Sequence, residues 1–298
     1  MIHRSVLLKI VSSLGFGLWL LLVSFSAVDP ANAQQPAPAA SPTPSTITAP
    51  RDVKARVTET LIDSSIPDDP AVDQMLAAYT PKVRALDTVI GRLKGELRKG
   101  GMGGGSLGNF VADGMRSQAR AKLGKPIDLA IMNGGGLRRN SISEGELRAR
   151  DIFELLPFEN ALVTLDLTGE QLLKLLGVVV STHEAQSGAR LTYITKADKS
   201  SQLETAMLRD ETGREKEIDP KATYTIVTID YLVSVGGERY SVLREGRNTK
   251  PLGITLRDAV MDYVKSETAA AREIKPRLDE RFILDRANSV LSGEAPLK

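Results

Sequence analysis

Asn133-Gly134-Gly135-Gly136-Leu137-Arg138, read together with the later Leu155-Leu156-Pro157-Phe158-Glu159-Asn160, decides how the rest of this chain is understood. Three consecutive glycines let a backbone approach a ligand closely, because no side chain intervenes. The flanking Asn and Arg add amide and guanidinium hydrogen bonds. The apolar run 127–132 before them reads as a strand, so the glycines fall at a strand end. Asp151 with Glu154 signals a short helix that Pro157 ends, leaving Phe158 just past its terminus. The expectation is a polar, glycine-lined loop beside an outward-pointing aromatic. A tight glycine turn with solvated Arg138 and Arg139 has the same composition, and both readings stand at this level.

Working outward, 161–167, 191–194 and 224–233 read as further strands, the last entered through the Asp219-Pro220 turn and followed by a loop at Gly236-Gly237. Leu107, Phe110, Val111 and Met115 recur at helical spacing, with Ser106 available as a cap. Thr168-Gly169-Glu170-Gln171 predicts a capping box and a helix from 169 to about 180. A last amphipathic helix is expected over 255–264. No solenoid repeat is visible, so the pattern is that of a mixed α/β domain.

Residues 1–33 read as a secretory signal: Arg4 and Lys9 give a basic start, 10–25 is almost entirely apolar, and Ala31-Asn32-Ala33 is a small-x-small cleavage pattern. A retained membrane anchor is the competing reading, against which stand Ser12, Ser13, Ser24 and the shortness of the apolar core. Residues 34–50, rich in Pro and Ala, read as a tether or as a tail without function. Residues 51–286 are then one domain and 287–298 a tail. Cysteine is absent, which excludes disulfides and thiolate metal ligands and leaves stability to the apolar core. Without Arg4, Lys9 and Asp29 the chain carries 37 basic against 36 acidic side chains and no sustained basic stripe, which argues against a nucleic-acid polymer as partner.

Gly103-Gly104-Gly105-Ser106-Leu107-Gly108 satisfies the dinucleotide fingerprint literally, but the charged stretch 93–99 before it is not the strand that fingerprint requires. A flexible entry to a helix is expected instead. The two histidines are His3 and His183, too few for a two-metal hydrolytic site, and His183 lies in a polar stretch with no nucleophile turn nearby. Asp230 and Glu238 are carboxylates available for acid/base work, with solvated or capping roles as the default, and no catalytic residue is assigned.

Several ordered motifs resemble one family: 107–113 (LGNFVAD), Asn133 to Arg138, Leu156-Pro157-Phe158, and Leu165-Asp166-Leu167-Thr168-Gly169. The series continues with Ser187-Gly188-Ala189-Arg190, 224–231, 236–240, 256–259 and 275–278. Together, from about Asp52 to Phe282, they are similar to the C-terminal domain of bacterial and animal 5'-nucleotidases. That resemblance implies a layered αββα fold that binds a base between two aromatic rings. It implies that Asn133 and Arg138 contact the nucleoside, that Phe158 and Tyr231 are the stacking rings, that Gly188 lines the base edge, and that Glu238 takes the hydroxyl-binding carboxylate role. The sequence departs from the family in having Glu238-Arg239 after the glycine pair, one extra residue between Tyr231 and that pair, and no arginine in 100–105. The family's hydrolytic chemistry belongs to a His-rich dinuclear metallophosphatase domain whose motifs do not occur in this sequence. The resemblance therefore implies a module that binds a nucleoside or nucleotide and holds no cofactor itself, and the signal-like start makes it an exported one, periplasmic or extracellular. A divalent metal is expected only on a separately encoded metallophosphatase subunit. A solute-binding or scaffold protein without a hydrolytic role is the alternative.

Overall fold

The computed structural model describes residues 56–290; the expected signal, the tether and residues 291–298 of the expected tail lie outside the described residues. The chain divides into two units, Met1–Ile66 and Pro67–Lys298. In the first, residues 56–66 are exposed and contain one turn, in which the Ile66 amide donates to the Asp63 carbonyl at 3.1 Å. The second holds every helix and strand described.

It begins with α1 (Pro70–Ala77) and α2 (Thr80–Ala85), followed by β1 (Val89–Leu93), β2 (Leu97–Arg98), α3 (Gly105–Leu123), β3 (Leu129–Met132), β4 (Ser141–Ile142), β5 (Gly145–Arg148) and α4 (Ala149–Leu155). The chain continues through β6 (Ala161–Thr168), α5 (Gly169–Thr182), β7 (Ala185–Ser187), β8 (Ala189–Thr195), β9 (Ser201–Arg209), β10 (Glu215–Glu217) and β11 (Thr223–Ile229). It ends with α6 (Asp230–Ser234), α7 (Ser241–Arg244), β12 (Arg247–Thr255), α8 (Leu256–Ala269) and β13 (Phe282–Leu284). The fold is mixed α/β. One five-stranded sheet has the order β12-β6-β11-β3-β7, a four-stranded sheet the order β10-β9-β8-β13, and β1-β5 and β2-β4 are two-stranded ribbons.

The central strands explain the layering. Every residue of β3 is buried, as are Ile226 to Ile229 of β11, so both faces of the five-stranded sheet are covered there. Helix α3 lies against β3 and β7 and packs on α8, while α5 touches β6 and β9, strands of the two larger sheets. Strand β11 runs parallel to β3, with Ile226 opposite Leu129 and Val227 opposite Ala130, and antiparallel to β6. The register brings β3 and β11 to an end level with each other. The segments after the two strands therefore emerge at one sheet edge.

The capping box of α5 forms as its sequence predicts. Thr168 N–H donates to Gln171 Oε1 at 2.9 Å and Gln171 N–H to Thr168 Oγ1 at 3.3 Å. Other expectations are corrected. Ser106 does not cap α3; Gly104, in the left-handed region at φ +73°, does, and Ser106 Oγ instead accepts from Arg98 N–H at 2.9 Å. The glycines there serve packing, since a Cβ on Gly103 would overlap the Phe282 ring. The strand expected over 224–233 stops at Ile229. Asp230 begins a helix, its carboxylate accepting the Tyr231 amide at 2.8 Å.

Candidate functional site

The shared edge of β3 and β11 is where an open α/β sheet offers a crevice, just beyond the carboxyl ends of adjacent parallel strands. Asn133 follows β3 directly and enters a single 3-10 turn, Gly134–Gly136. Tyr231 stands in the first turn of α6, directly after β11. Between them and the loop 236–240 lies an open cleft of about 660 Å³ whose walls include Asn133, Glu184, Tyr231, Glu238, Arg239 and Tyr240.

Glu184 organises this cleft. Strand β7 pairs with β3 so that Ala185 faces Met132, which sets Glu184 beside the glycine turn. Its carboxylate is 8% exposed and accepts two hydrogen bonds, from Gly134 N–H at 2.5 Å and from the Tyr240 hydroxyl at 2.5 Å. It thus ties the glycine turn to the loop on the other side of the cleft. Burial, together with the adjacent Glu184 carboxylate, pushes the Tyr240 hydroxyl well above the ordinary tyrosine range, so its proton stays in place as the donor. Glu184 also lines a second opening of about 300 Å³ that runs beneath the turn past Gly104 and His183.

The amide oxygen of Asn133 is buried without a hydrogen-bond partner, a condition that costs about 1–3 kcal/mol for a typical group. Its position over the turn explains Gly136, because a Cβ there would come 3.3 Å from that oxygen.

Phe158 and Arg138 find each other. The Arg138 guanidinium carbon stands 4.9 Å from the centroid of the Phe158 ring, and Arg138 N–H donates to the Leu155 carbonyl at 2.9 Å. Phe158 is 42% exposed and Tyr231 43%, unusual for aromatics in a chain with a well-filled core. The segment carrying Phe158 is held from behind by Arg257 of α8, which is 7% exposed. Its guanidinium donates to the Leu156 carbonyl at 3.3 Å and the Pro157 carbonyl at 3.4 Å, pairs with Glu159, and lies 4.2 Å from the Phe153 ring centroid.

Of the residues named from the sequence, the structure brings Asn133, Tyr231 and Glu238 to one cleft and sets Arg138 against Phe158. Gly188 does neither. It sits between β7 and β8 in a different cleft, at the far end of β3, where its backbone lies against the Asp128 carbonyl and the Arg116 side chain. Glu238 is 93% exposed along its side chain and its nearest charge is Arg244, 3.4 Å away. The Asp230 carboxylate is engaged with the Tyr231 amide.

Three contributors were not singled out by sequence: Glu184, Tyr240 and Arg257. The signal for Arg257 was available, since it shares the buried face of α8 with Val260 and Val264 at i, i+3 and i+7. Glu184 gave none, because its partner lies on a loop 56 residues away.

A hydrolytic metal pair needs several His and carboxylate ligands converging. Among the described residues no group of three or more His, Cys, Asp or Glu side chains does so, and the exposed His183 meets Ser201 Oγ at 3.1 Å. These residues do not fit such a centre. No described helix is long and apolar enough to cross a membrane.

Comparison with known proteins agrees with the motif reading. The chain is 28% identical over 184 residues to the trifunctional nucleotide phosphoesterase protein YfkN of Bacillus subtilis, covering 59% of this chain and 12% of that one. It is 25% identical over 238 residues to protein UshA of Yersinia enterocolitica, covering 78% of this chain and 38% of the relative. Among solved structures, the 5'-nucleotidase precursor from Thermus thermophilus superposes with a TM-score of 0.60 at 27% identity, over 72% of this chain and 43% of the other. The chain therefore spans less than half the length of each of these proteins. Residues 88–245 match the family model described as 5'-nucleotidase, C-terminal domain, and the chain belongs to that family.

Proposed function

We propose that this chain is an exported substrate-recognition module that binds a nucleoside or nucleotide, with phosphoester hydrolysis supplied by a separate metallophosphatase subunit carrying the divalent metals. The observation that carries the reading is the open cleft whose walls include Asn133, Gly135, Glu238 and the exposed ring of Tyr231; Phe158, exposed as well and set against Arg138, is the second ring that the family resemblance implies. Each nucleobase offers a π face, and stacking on one aromatic contributes about 1–3 kcal/mol with little regard to base identity. Asn133 and the Arg138 fork supply polar contacts to the base edge or sugar, and Glu238, at the rim, is within the cleft for a ribose hydroxyl. The departure at Glu238-Arg239 supplies a cation to meet a phosphate group, which favours a nucleotide over a free nucleoside.

Calorimetry of the purified chain with adenosine and AMP tests this reading. Saturable binding is expected, weakened by about fivefold to a hundredfold in each of Phe158→Ala and Tyr231→Ala. Absence of binding to any nucleoside or nucleotide would support the scaffold reading. Incubation with AMP or a UDP-sugar and a divalent cation should release no phosphate, and robust release by the chain alone would overturn the division of labour.

A further inference from the structure

The cleft that holds Gly188 is rich in charge. It encloses about 510 Å³ and is lined by six arginines: Arg116, Arg120, Arg209, Arg272, Arg277 and Arg281. Five carboxylates share its walls, so the question is which charges remain uncommitted. Arg281 is locked between Asp113 and Asp279 at 2.9 and 2.7 Å, Arg272 pairs with Glu267 at 2.6 Å, Arg120 with Glu211, and Asp210 with Arg214 at 3.5 Å. Arg209 is taken by Glu215 at 2.9 Å. Every carboxylate lining the cleft is thus paired. Among the described residues Arg116 and Arg277 have no ion-pair partner within 4 Å.

Arg116 is also presented. Its Nε donates to the Ile127 carbonyl at 2.8 Å, which fixes the plane of the guanidinium and leaves its two terminal nitrogens without a protein acceptor among the described residues. Gly188 makes room for that plane. A Cβ there would stand 3.0 Å from the guanidinium carbon and would overlap the Asp128 carbonyl, and φ of +116° disfavours any side chain. Two hydroxyls, of Ser117 and Ser187, line the same space and make no hydrogen bond among the described residues.

We propose that this cleft is a binding site for a phosphate dianion, separate from the candidate nucleoside cleft. Arg116 and Arg277, neither of them in an ion pair within 4 Å among the described residues, bring positive charge to the cleft, the terminal nitrogens of Arg116 offer the forked donor geometry that phosphate oxygens accept, and the Ser117 and Ser187 hydroxyls line the same space. The phosphate is either the free inorganic ion or the phosphate group of a nucleotide. The shared chemistry is the same.

The test is calorimetry of the full chain with inorganic phosphate and, separately, with AMP and adenosine. Expected is saturable phosphate binding that weakens with added salt. It should fall about tenfold or more in Arg116→Gln and in Arg277→Gln and persist in Arg239→Gln, which alters the other cleft. Phosphate binding alone assigns the free ion. A second AMP site, absent for adenosine and lost in Arg277→Gln, assigns the nucleotide. Arg277 is exposed, so its substitution preserves the fold even if Arg116→Gln does not. Absence of saturable binding of either ligand at this cleft, or binding unchanged by Arg277→Gln and by Arg116→Gln, overturns the proposal. Loss of phosphate binding in Arg239→Gln would place the ion in the other cleft, which Arg239 lines, and likewise overturn it.

Discussion

Replacing Glu184 separates a residue that holds the candidate cleft together from one that merely lines it. Its carboxylate receives Gly134 N–H and the Tyr240 hydroxyl, both at 2.5 Å, and both the acceptor and Tyr240 are buried. Glu184→Ala removes two hydrogen bonds to a carboxylate, each contributing about 1.5–3 kcal/mol, and leaves the Tyr240 hydroxyl without a partner. Part of this loss is offset because a carboxylate need no longer be desolvated. The expected net destabilisation is about 2–4 kcal/mol. Glu184→Gln keeps the shape: its oxygen accepts from Gly134 N–H, and its amide donates to the Tyr240 oxygen, which as a hydroxyl can turn to accept. Only the charge assistance is lost, about 1 kcal/mol. Urea unfolding of the two variants measures the stabilities, and a cycle with Tyr240→Phe isolates the pair, where a coupling of about 1–2 kcal/mol is expected for contacting groups. Two results would refute the reasoning: Glu184→Ala within about 0.5 kcal/mol of the parent, the scatter of ordinary surface substitutions, or Glu184→Gln as costly as Glu184→Ala.

Two glycines of α5 should respond in opposite directions in the same unfolding assay. Gly177 has open space around the position of a Cβ, so Gly177→Ala is expected to stabilise by about 0.5–1 kcal/mol, whereas Gly169→Ala drives its methyl into the Asp219 carbonyl and should cost about 2–4 kcal/mol. The acid limb of stability follows from Asp279. Burial pushes its carboxyl up, but hydrogen bonds from the Arg281 guanidinium more than offset this and hold it below the usual range. A depressed carboxyl stabilises above the unfolded value of about 3.9 and loses that contribution as pH falls through its lower folded value. Melting temperature should therefore be level from neutrality to about pH 5 and fall below about pH 4, with a shallower fall in Asp279→Asn.

The elements whose signals are local were legible in the sequence. The Thr168–Gln171 box needs only four residues, and β3 and β6 announce themselves as apolar runs, so their existence follows from periodicity alone. Strand β9 hides because its face alternates weakly and it carries Gln202, Glu204 and Thr205, its place being set by pairing to β8 rather than by its own composition. The boundary at Asp230 was missed because the apolar run continues to Val233, and a side chain accepting its neighbour's amide, not hydropathy, turns the strand into a helix. Asn133, Arg138, Phe158 and Tyr231 were singled out through motif resemblance, and of these the structure sets Asn133 and Tyr231 at the cleft, while the Glu184 clasp required knowing that Ala185 faces Met132. Gly188 was legible as a motif glycine, and its place at the other end of β3 follows only from the pairing of β7 with β3.

The level ending of β3 and β11 has an evolutionary consequence. Strand β3 and the Ile226–Ile229 end of β11 are buried, and they meet the candidate cleft only through the residues that come after Met132 and Ile229. The stretch 235–239 that rims the cleft opposite the glycine turn is largely exposed, with Val235 and Glu238 in solvent. Inserting a residue there, or trading one charge for another, changes what the cleft greets without disturbing a core contact. Such a layout makes ligand preference cheap to alter and the scaffold hard to break, so relatives can drift in what they recognise long before they drift in how they fold.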